Sequence, residues 1–371
     1  MKILQLVTRR QYRGAEVFAA QLSTELVKKG HQVLYTGLYK PTENCLTAED
    51  VVNIDMNARR SKLNIALARN LLKLVRKYKP DIIQANGSDT LKYAAICKFF
   101  FPYSKIVYRN ISMVSSWTGK NYLKRVFNRL LFQNVDMVTS VGVNALNDLI
   151  NTYHYPLNKT TVIRRGIANR FCDPVIAQRK IITEFGLPAD TRVLVHVGQF
   201  SAEKNHPFLI ESFEEIIMQC PEAILIFIGT GNKVDAVKKL VHEKGLGRKI
   251  FFTGHKADTY EWLAGSDVLL MGSKVEGVPG VVLEAAMQGV PSVAVNVGGV
   301  AEVVINNKTG MLIDTHDPDK FSAAVLLLLQ DEMMRKYLGQ NAREFVKENY
   351  SIENCSKAYE SLFIKLTAHE N

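Results

Sequence analysis

Two glutamates in the second half of the chain stand in a pattern that suits recognition of a polyhydroxylated ligand. Glu276 and Glu284 are separated by seven residues within the segment 272–289, GSKVEGVPGVVLEAAMQG, which follows the apolar run Val268–Leu270. This pattern predicts a strand, a loop rich in glycine and proline, and a helix whose first N–H groups can bind phosphate or sugar oxygens. Carboxylates accept hydrogen bonds from hydroxyl groups. Because Glu284 lies among apolar neighbours, its carboxylate needs a partner, which disfavours the alternative of two solvent-facing glutamates.

A lysine that can neutralise phosphate follows another predicted strand. Lys204 comes after the apolar run Val193–Val197 and a glycine turn, and a helix is predicted from about Pro207. An ammonium group at the carboxyl end of a strand can bind phosphate as a point charge. Two nearby histidines, His196 and His206, are interpreted as structural residues of the core.

Two further turns are candidate ligand contacts. The turn 228–231, IGTG, lacks the third glycine of a dinucleotide fingerprint, so it predicts only a tight turn near the ligand. Near the amino terminus, the loop 8–16 places Arg9, Arg10, Arg13 and Gly14 before a helix predicted from about Ala15 to Lys29. Its amides and arginines suit phosphate. A glycine turn with solvated arginines explains this loop equally well.

The sequence predicts no metal site. Asp317 and Asp319 resemble a DxD metal motif, but Pro318 suits the first position of a helix and Asp317 suits its cap. The five cysteines are scattered and form no CxxC pair or Cys/His cluster, which predicts unpaired thiols in a reducing cytoplasm.

Apolar runs rich in β-branched residues alternate with helical segments, the pattern of a parallel sheet covered by helices on both faces. Strands are predicted at Lys2–Val7, Gln32–Thr36, Asp81–Ala85, Lys105–Tyr108, Asp136–Ser140, Thr161–Ile163, Val193–Val197, Ala223–Ile228, Lys249–Phe252, Val268–Leu270, Ser292–Val295 and Met311–Ile313. We predict an α/β protein of two Rossmann-like domains, residues 1–175 with a returning carboxyl-terminal helix in 351–371, and residues 176–350. Because open α/β sheets bind ligands beyond the carboxyl ends of their strands, a cleft between the domains is expected to hold the site.

Length and composition exclude several classes of protein. With 371 residues, 47% hydrophobic and 22% charged, the chain is too long for one small module and too apolar for a disordered chain. No apolar stretch approaches about 20 residues, and the first strand runs into arginines, so neither a membrane-spanning helix nor a secretion signal is expected. We predict a cytoplasmic protein.

Positive charge is concentrated in the first half. Residues 1–175 hold 27 of the 47 lysines and arginines but 11 of the 36 acids, and residues 56–135 hold 16 basic residues and two acids. Basic amphipathic helices predicted from Arg59 to Lys79 and from Lys120 to Phe132 favour an anionic membrane surface as partner. A solvated helix with its apolar side in the core is the alternative. No nucleic-acid partner is predicted, because no reading motif is present and the second half is acidic.

Six motifs in order along nearly the whole chain resemble those of the retaining GT-B glycosyltransferases of family 4, the glycosyl transferases group 1 type. They are RGAE at 13–16 with GH at 30–31, GQFSAEKN at 198–205, IGTG at 228–231, FTG at 252–254, the E-x7-E run at 276–284 and GGVAE at 298–302. The resemblance implies transfer of a hexose-type sugar from a nucleotide diphosphate sugar to a lipid-linked or cell-surface glycan. The donor is a co-substrate, and neither cofactor nor metal is implied.

The resemblance also implies roles for individual residues. Lys204 and Glu276 are the catalytic candidates, with Lys204 on the diphosphate and Glu276 on the donor hexose, while Glu284 binds the ribose hydroxyls. The other donor-binding candidates are Arg13, Gly14, Gln199, Gly231, Gly277, Val278, Pro279 and Gly280. The candidates for the acceptor side, at or after predicted strands of the first domain, are Asn86, Arg109 and Asn110.

The chain departs from the family pattern at three places. Gln199 stands where the family usually has arginine, and Arg13 replaces the first glycine of the usual GGAE. We hypothesise that Arg13 supplies the missing charge. The region after Lys105–Tyr108 also lacks the histidine that some relatives place there. A sugar-nucleotide epimerase of the same architecture and a non-catalytic basic binding protein remain alternative functions.

Overall fold

The structure is a computed structural model that describes residues 1–41, 45–59, 64–119 and 122–368. The chain divides into two compact units. Unit 1 consists of Met1–Ala168 and the stretch from Tyr350 onward, and unit 2 is Asn169–Asn349. The change of unit therefore lies ahead of the predicted boundary between residues 175 and 176.

Unit 1 is built on a parallel sheet. In its described residues the strands are β1 (Lys2–Val7), β2 (Gln32–Tyr39), β3 (Val52–Ala58), β4 (Ile82–Asn86), β5 (Lys105–Asn110), β6 (Met137–Ser140) and β7 (Thr160–Val162). The helices are α1 (Gly14–Lys28), α2 (Ile65–Tyr78), α3 (Ser88–Phe100), α4 (Val114–Thr118), α5 (Tyr122–Phe132) and α6 (Val143–Tyr153). The strand order is β3-β2-β1-β4-β5-β6-β7, and every pairing is parallel. All these strands therefore end at the same edge of the sheet.

Unit 2 repeats this plan. Its strands are β8 (Arg192–Val197), β9 (Ala223–Ile228), β10 (Ile250–Gly254), β11 (Val268–Met271), β12 (Ser292–Val295) and β13 (Gly310–Ile313), in the order β10-β9-β8-β11-β12-β13. Its helices are α7 (Pro174–Phe185), α8 (His206–Gln219), α9 (Val234–Glu243), α10 (Tyr260–Ala264), α11 (Gly280–Met287), α12 (Pro318–Gln330) and α13 (Glu332–Asn349). The last helix, α14 (Ile352–Thr367), belongs to unit 1. Both units are thus Rossmann-like, as the alternating pattern predicts.

The apolar pattern explains how α1 and α14 cover one face of the first sheet. Phe18, Leu22 and Leu26 recur at the helical spacing of four and are fully buried. They form one cluster with Tyr359 and Phe363 of α14. The returning carboxyl-terminal helix therefore completes the core of unit 1.

Three sequence predictions differ from the structure at the edges of elements. Strand β3 was not predicted, because this edge strand is only partly buried and has no clear alternation. Strand β5 continues through Arg109 and Asn110, which were predicted to lie in the following loop. The helices predicted from Arg59 and Lys120 begin in the described residues at Ile65 and Tyr122, while residues 60–63 and 120–121 lie outside that part.

The cap predicted at the start of α12 is present. The Asp317 carboxylate accepts a hydrogen bond from the Lys320 N–H at 3.2 Å, and Pro318 opens α12. The interpretation of this aspartate as a cap is confirmed.

In the described part of the chain, no helix combines the length and apolar character needed to cross a membrane.

Candidate functional site

An ion pair joins two loops at the carboxyl edge of the sheet in unit 2. Lys204 lies in the turn after β8, and its Nζ is 2.5 Å from Oε1 of Glu276 in the loop after β11. The Lys274 N–H donates to the Glu203 carbonyl at 2.7 Å, so the backbones of the two loops are also joined. The Glu276 side chain is 11% exposed and that of Lys204 24%. The two residues predicted to be catalytic are therefore brought together, although 72 positions separate them.

Glycines let the neighbouring loops approach each other closely. A Cβ on Gly229, which has φ of +145°, would lie 2.0 Å from the Gly198 carbonyl oxygen. A Cβ on Gly231 would lie 2.4 Å from the Phe200 carbonyl oxygen. The Phe200 N–H in turn donates to the Thr230 carbonyl at 3.0 Å. The segment 228–231 leads from the end of β9 to the turn at 232–233 before α9, and it is bonded directly to the loop that carries Gln199 and Lys204. Its place near a ligand stays a prediction.

The second predicted carboxylate sits in α11. Glu284 is partly buried, and its Oε2 accepts a 3.4 Å hydrogen bond from the Thr259 hydroxyl. The helix begins at Gly280 after Pro279, so Gly277, Val278 and Pro279 form the buried loop that leads into its amino terminus. Backbone N–H groups at such a terminus favour anionic or polar oxygens.

The acceptor-side candidates of unit 1 lie in its core. The Asn86 side-chain amide donates to Gln5 Oε1 at 3.0 Å, and that of Asn110 donates to the Ala145 carbonyl at 2.9 Å. The Arg109 guanidinium stacks on the Phe18 ring at 3.7 Å from its centroid and hydrogen-bonds Tyr359. Burial lowers the pKa of Arg109 to about 10. Such internal partners favour structural roles, so contact with an acceptor stays a prediction for all three.

Arg10 and Arg13 of the amino-terminal loop lie in different surroundings. Arg10 is buried and forms an ion pair with Asp55 of β3, so it belongs to the sheet edge and not to an open phosphate seat. Arg13 is exposed and precedes Gly14, the first residue of α1. The predicted role of Arg13 and Gly14 in phosphate binding therefore remains a prediction.

Comparisons with known proteins show the family to which this chain belongs. The family model for glycosyl transferases group 1 matches residues 177–345, and that for glycosyltransferase family 4 matches residues 12–169. The chain is a GT-B glycosyltransferase of family 4. Among curated proteins, this glycosyltransferase is 25% identical over 370 residues to N-acetyl-alpha-D-glucosaminyl L-malate synthase of Bacillus anthracis, covering 94% of this chain and 93% of that enzyme.

Two further proteins are similar to this glycosyltransferase over nearly its whole length. D-inositol 3-phosphate glycosyltransferase of Corynebacterium glutamicum (strain R) is 23% identical over 389 residues, covering 96% of this chain and 93% of that enzyme. The crystal structure of Anabaena Alr3699/HepE in complex with UDP and glucose superposes with a TM-score of 0.85 at 19% identity, covering 98% of this chain and 99% of that chain.

Two buried histidines that sequence reasoning treated only as core residues lie beneath the glycosyltransferase's Lys204 loop. The His196 and His206 rings meet edge to face with centroids 4.9 Å apart, and His206 stacks on Phe200 at 4.2 Å. His196 Nδ1 lies 2.9 Å from the Leu270 carbonyl oxygen. Burial lowers the pKa of His196 to about 3 and that of His206 to about 4. Both imidazoles are therefore neutral at neutral pH.

This pair predicts a loss of stability in mild acid. Below the usual pKa of 6.5 the unfolded histidines bind protons while the folded ones do not, so acidification favours unfolding until the pH nears 3 to 4. In that window, each histidine lowers the free energy of unfolding by up to about 1.4 kcal/mol for every unit by which the pH falls. His206→Phe, which keeps the stacked ring, is expected to reduce the pH dependence measured by urea unfolding between pH 7 and 5.

The matched control for this prediction is His242→Gln, because His242 is exposed on α9. Its unfolding curves are expected to keep the wild-type pH dependence. Equal pH dependence in wild type and His206→Phe would contradict the assignment of this effect to the buried pair.

Proposed function

We propose that this glycosyltransferase moves a hexose-type sugar from a nucleotide diphosphate sugar to a lipid-linked or cell-surface glycan, with retention of anomeric configuration. The observation that carries the proposal is the Lys204–Glu276 ion pair at the carboxyl edge of the sheet in unit 2. A cation for phosphate and a carboxylate for sugar hydroxyls are held there side by side. The Anabaena structure in complex with UDP and glucose supports a uridine nucleotide as the first donor to test.

The proposed reaction needs charge stabilisation more than a protein nucleophile. The bond between the anomeric carbon and the diphosphate oxygen breaks while the acceptor hydroxyl bonds to the same face of that carbon. The acceptor proton passes to the departing phosphate oxygen. Lys204 and the loop amides would stabilise the negative charge that develops on the diphosphate. Glu276 would hold the hexose in a reactive position, and Glu284 the ribose.

Metal independence belongs to the same proposal, because the ammonium group and backbone N–H groups can neutralise the diphosphate. Among the described residues, no group of three or more His, Cys, Asp or Glu side chains is placed to hold a metal ion. Activity is expected to persist in EDTA. Activity that is lost with chelator and restored by manganese would contradict this part of the proposal.

The decisive experiment is calorimetric titration of the full chain with nucleotide diphosphate sugars, starting with the uridine compounds. We expect micromolar binding of at least one, weakened about 10-fold or more by Glu276→Gln and by Glu284→Gln, since each removes a charged hydrogen-bond acceptor. Glu243→Gln on the exposed side of α9 is the control. No binding by the wild type, or no change in the two variants, would overturn the proposal. Conversion of the donor to its epimer without acceptor would favour the epimerase.

The lipid-linked acceptor is supported by the surface of α5. Tyr122 and Leu123 are 75% and 79% exposed, and Phe127 and Leu130 are also exposed. Lys124, Arg125 and Arg129 lie in the same helix. At the end of the neighbouring α3, Phe99 and Phe100 are exposed as well. An apolar surface flanked by cations matches the interface of an anionic membrane, where each basic residue contributes about 1 kcal/mol.

This surface predicts binding to anionic vesicles. Wild-type protein is expected to float with vesicles of phosphatidylglycerol and phosphatidylcholine at low salt, and much less with phosphatidylcholine alone. Leu123→Ser/Phe127→Ser is expected to reduce the floated fraction several-fold. The control is Met333→Ser/Tyr337→Ser, which changes two exposed apolar residues of α13 in unit 2. Equal flotation of the two double variants would contradict an α5 membrane surface.

A further inference from the structure

The side chain of Lys204 lies against a glycine that also faces a buried imidazole. A Cβ on Gly198 would lie 3.4 Å from Cδ and 3.5 Å from Cε of Lys204. The same Cβ would lie 3.0 Å from Nε2 of His196. Because Gly198 has no side chain, the lysine stem and the imidazole converge on one point of the loop. The stem is therefore placed next to His196, a residue of the preceding strand β8.

A hydrogen bond sets the orientation and the tautomer of this imidazole. Nδ1 of His196 lies 2.9 Å from the Leu270 carbonyl oxygen of the adjacent strand β11. A carbonyl oxygen can only accept, so Nδ1 carries the ring proton. Burial, with smaller contributions from His206 and Lys204, lowers the pKa of His196 to about 3, so the ring is neutral at neutral pH. Nε2, the atom near Gly198, consequently holds a lone pair.

Rings from other segments of unit 2 hold the imidazole in place. His206, the first residue of α8, meets it edge to face and stacks on Phe200 of the Lys204 loop. Phe227 of β9 contacts both imidazoles, with ring centroids 5.9 Å from His196 and 5.2 Å from His206. All four rings are buried. The packed cluster therefore connects β8, β9 and α8 to the loop that carries the lysine.

An apolar side chain at position 196 would suit the core better than histidine does. Nε2 of His196 is buried and has no hydrogen-bond partner within the described part of the chain. An unpaired polar atom inside a protein costs free energy, and such departures occur at functional sites. Lys204 acts electrostatically on this ring. A lone pair beside a cation is favourable, whereas a protonated imidazole would repel it.

We propose that His196 is a positioning residue for Lys204, whose stem its neutral imidazole holds against Gly198 so that the ammonium group meets the donor diphosphate. The inference rests on the proposed function, which assigns Lys204 to that diphosphate. The ammonium group is then oriented from two sides, by Glu276 at its tip and by the imidazole beside its stem. A misplacement of about 1 Å can lower a rate about 100-fold, so support of the stem matters for catalysis.

The test is a double-mutant cycle in the full chain with His196→Phe and Lys204→Met. Phenylalanine keeps a ring that can meet His206 but removes the Nδ1–H group and the lone pair. Calorimetry with uridine diphosphate is applied to wild type, both single variants and the double variant. We expect His196→Phe to weaken binding about 10-fold when Lys204 is present and less than about 2-fold when it is replaced. An equal loss in both backgrounds, or none in either, would overturn the inference.

Val195→Ala is the matched control, because Val195 precedes His196 in β8 and is fully buried. This variant also removes packing from the core, so the free energy of unfolding measured in urea is expected to fall in both. Its affinity for uridine diphosphate is expected to equal that of wild type. A loss of affinity as large as that of His196→Phe would assign the effect to a loosened core and contradict the inference.

Gly198→Ala tests the same contact without removing either side chain. Its methyl group would lie where His196 Nε2 and the Lys204 stem converge, and φ at position 198 lies outside the left-handed region. We expect a several-fold loss of affinity for uridine diphosphate that disappears in the Lys204→Met background. This variant decides the inference if His196→Phe does not fold, since unchanged affinity would contradict it.

Failure of the proposed function is recognised separately, because wild type would then bind no nucleotide. Nuclear magnetic resonance of protein with ¹³C-labelled lysine Cε decides the inference in that case. The Lys204 signal, identified by its absence in Lys204→Met, is expected to shift in His196→Phe and to keep its wild-type position in Val195→Ala. A Lys204 signal that does not respond to His196→Phe would show that the imidazole does not position the lysine.

Discussion

Lys204→Met is expected to lower kcat/KM for the sugar donor by about 100-fold or more. The substitution removes the ammonium group paired with Glu276 and leaves that carboxylate 11% exposed without its cation. The donor diphosphate would then meet a negative group in place of a positive one. Removal of one group that stabilises developing negative charge typically costs a factor of 100 to 1,000. Steady-state kinetics with the best donor from calorimetry provide the measurement.

The matched control for Lys204→Met is Lys239→Met. Lys239 is also paired with a glutamate, Glu243, but both side chains are exposed on α9, with 77% and 56% accessible. A surface pair of this kind contributes at most about 1 kcal/mol to stability, and activity is expected to stay at the wild-type level. If both variants retain full activity, the Lys204–Glu276 pair is not part of the donor site.

Gly298→Ala is expected to destabilise the protein by about 3 kcal/mol and to weaken donor binding at least 10-fold. Gly298 has φ of +57°, and a Cβ there would lie 1.9 Å from the Glu276 carbonyl oxygen. The left-handed conformation costs alanine about 1 to 2 kcal/mol, and the overlap adds a packing cost of about 1 to 3 kcal/mol. Relief of the overlap requires the Glu276 backbone to move. Urea unfolding and calorimetry measure the two effects.

Gly245→Ala separates conformational strain from overlap. Gly245 has φ of +70°, and a Cβ there would meet no atom within 4 Å. We expect a destabilisation of about 1 to 2 kcal/mol from the backbone alone and unchanged donor affinity. A Gly298→Ala protein with no greater loss than Gly245→Ala would show that the loop around Glu276 does not depend on this close approach.

Particular elements show why some predictions from the sequence succeed. Strands such as β9 and β1 are buried on both faces, so they are nearly continuous apolar runs that can be recognised without tertiary information. The cap at Asp317 is local in the same sense, because it depends on residues within one helical turn. The edge strand β3 lacks both signals, since its burial depends on neighbours far away in sequence.

The candidate site was predicted in part for the same reason. Lys204, Glu276 and Glu284 each follow a recognisable strand and turn, so their placement at the carboxyl edge of a parallel sheet follows from the order of elements. Asn86, Arg109 and Asn110 also lie at strand ends, yet their side chains have partners inside unit 1. Whether a polar side chain at that edge meets solvent or a neighbouring strand depends on packing that sequence spacing does not encode.

The amino-acid sequence by itself determined the α/β class, the parallel strands and the edge at which chemistry can occur, because each depends on periodicity and residue type within short windows. Only the tertiary structure decided which distant residues meet. The pairing of Lys204 with Glu276 arises where the neighbouring strands β8 and β11 end side by side. The approach of Arg165 to Gly14 likewise brings together residues that follow two different strands, β7 and β1. Such contacts depend on the lateral order of strands in each sheet, and long-range packing of the whole unit sets that order.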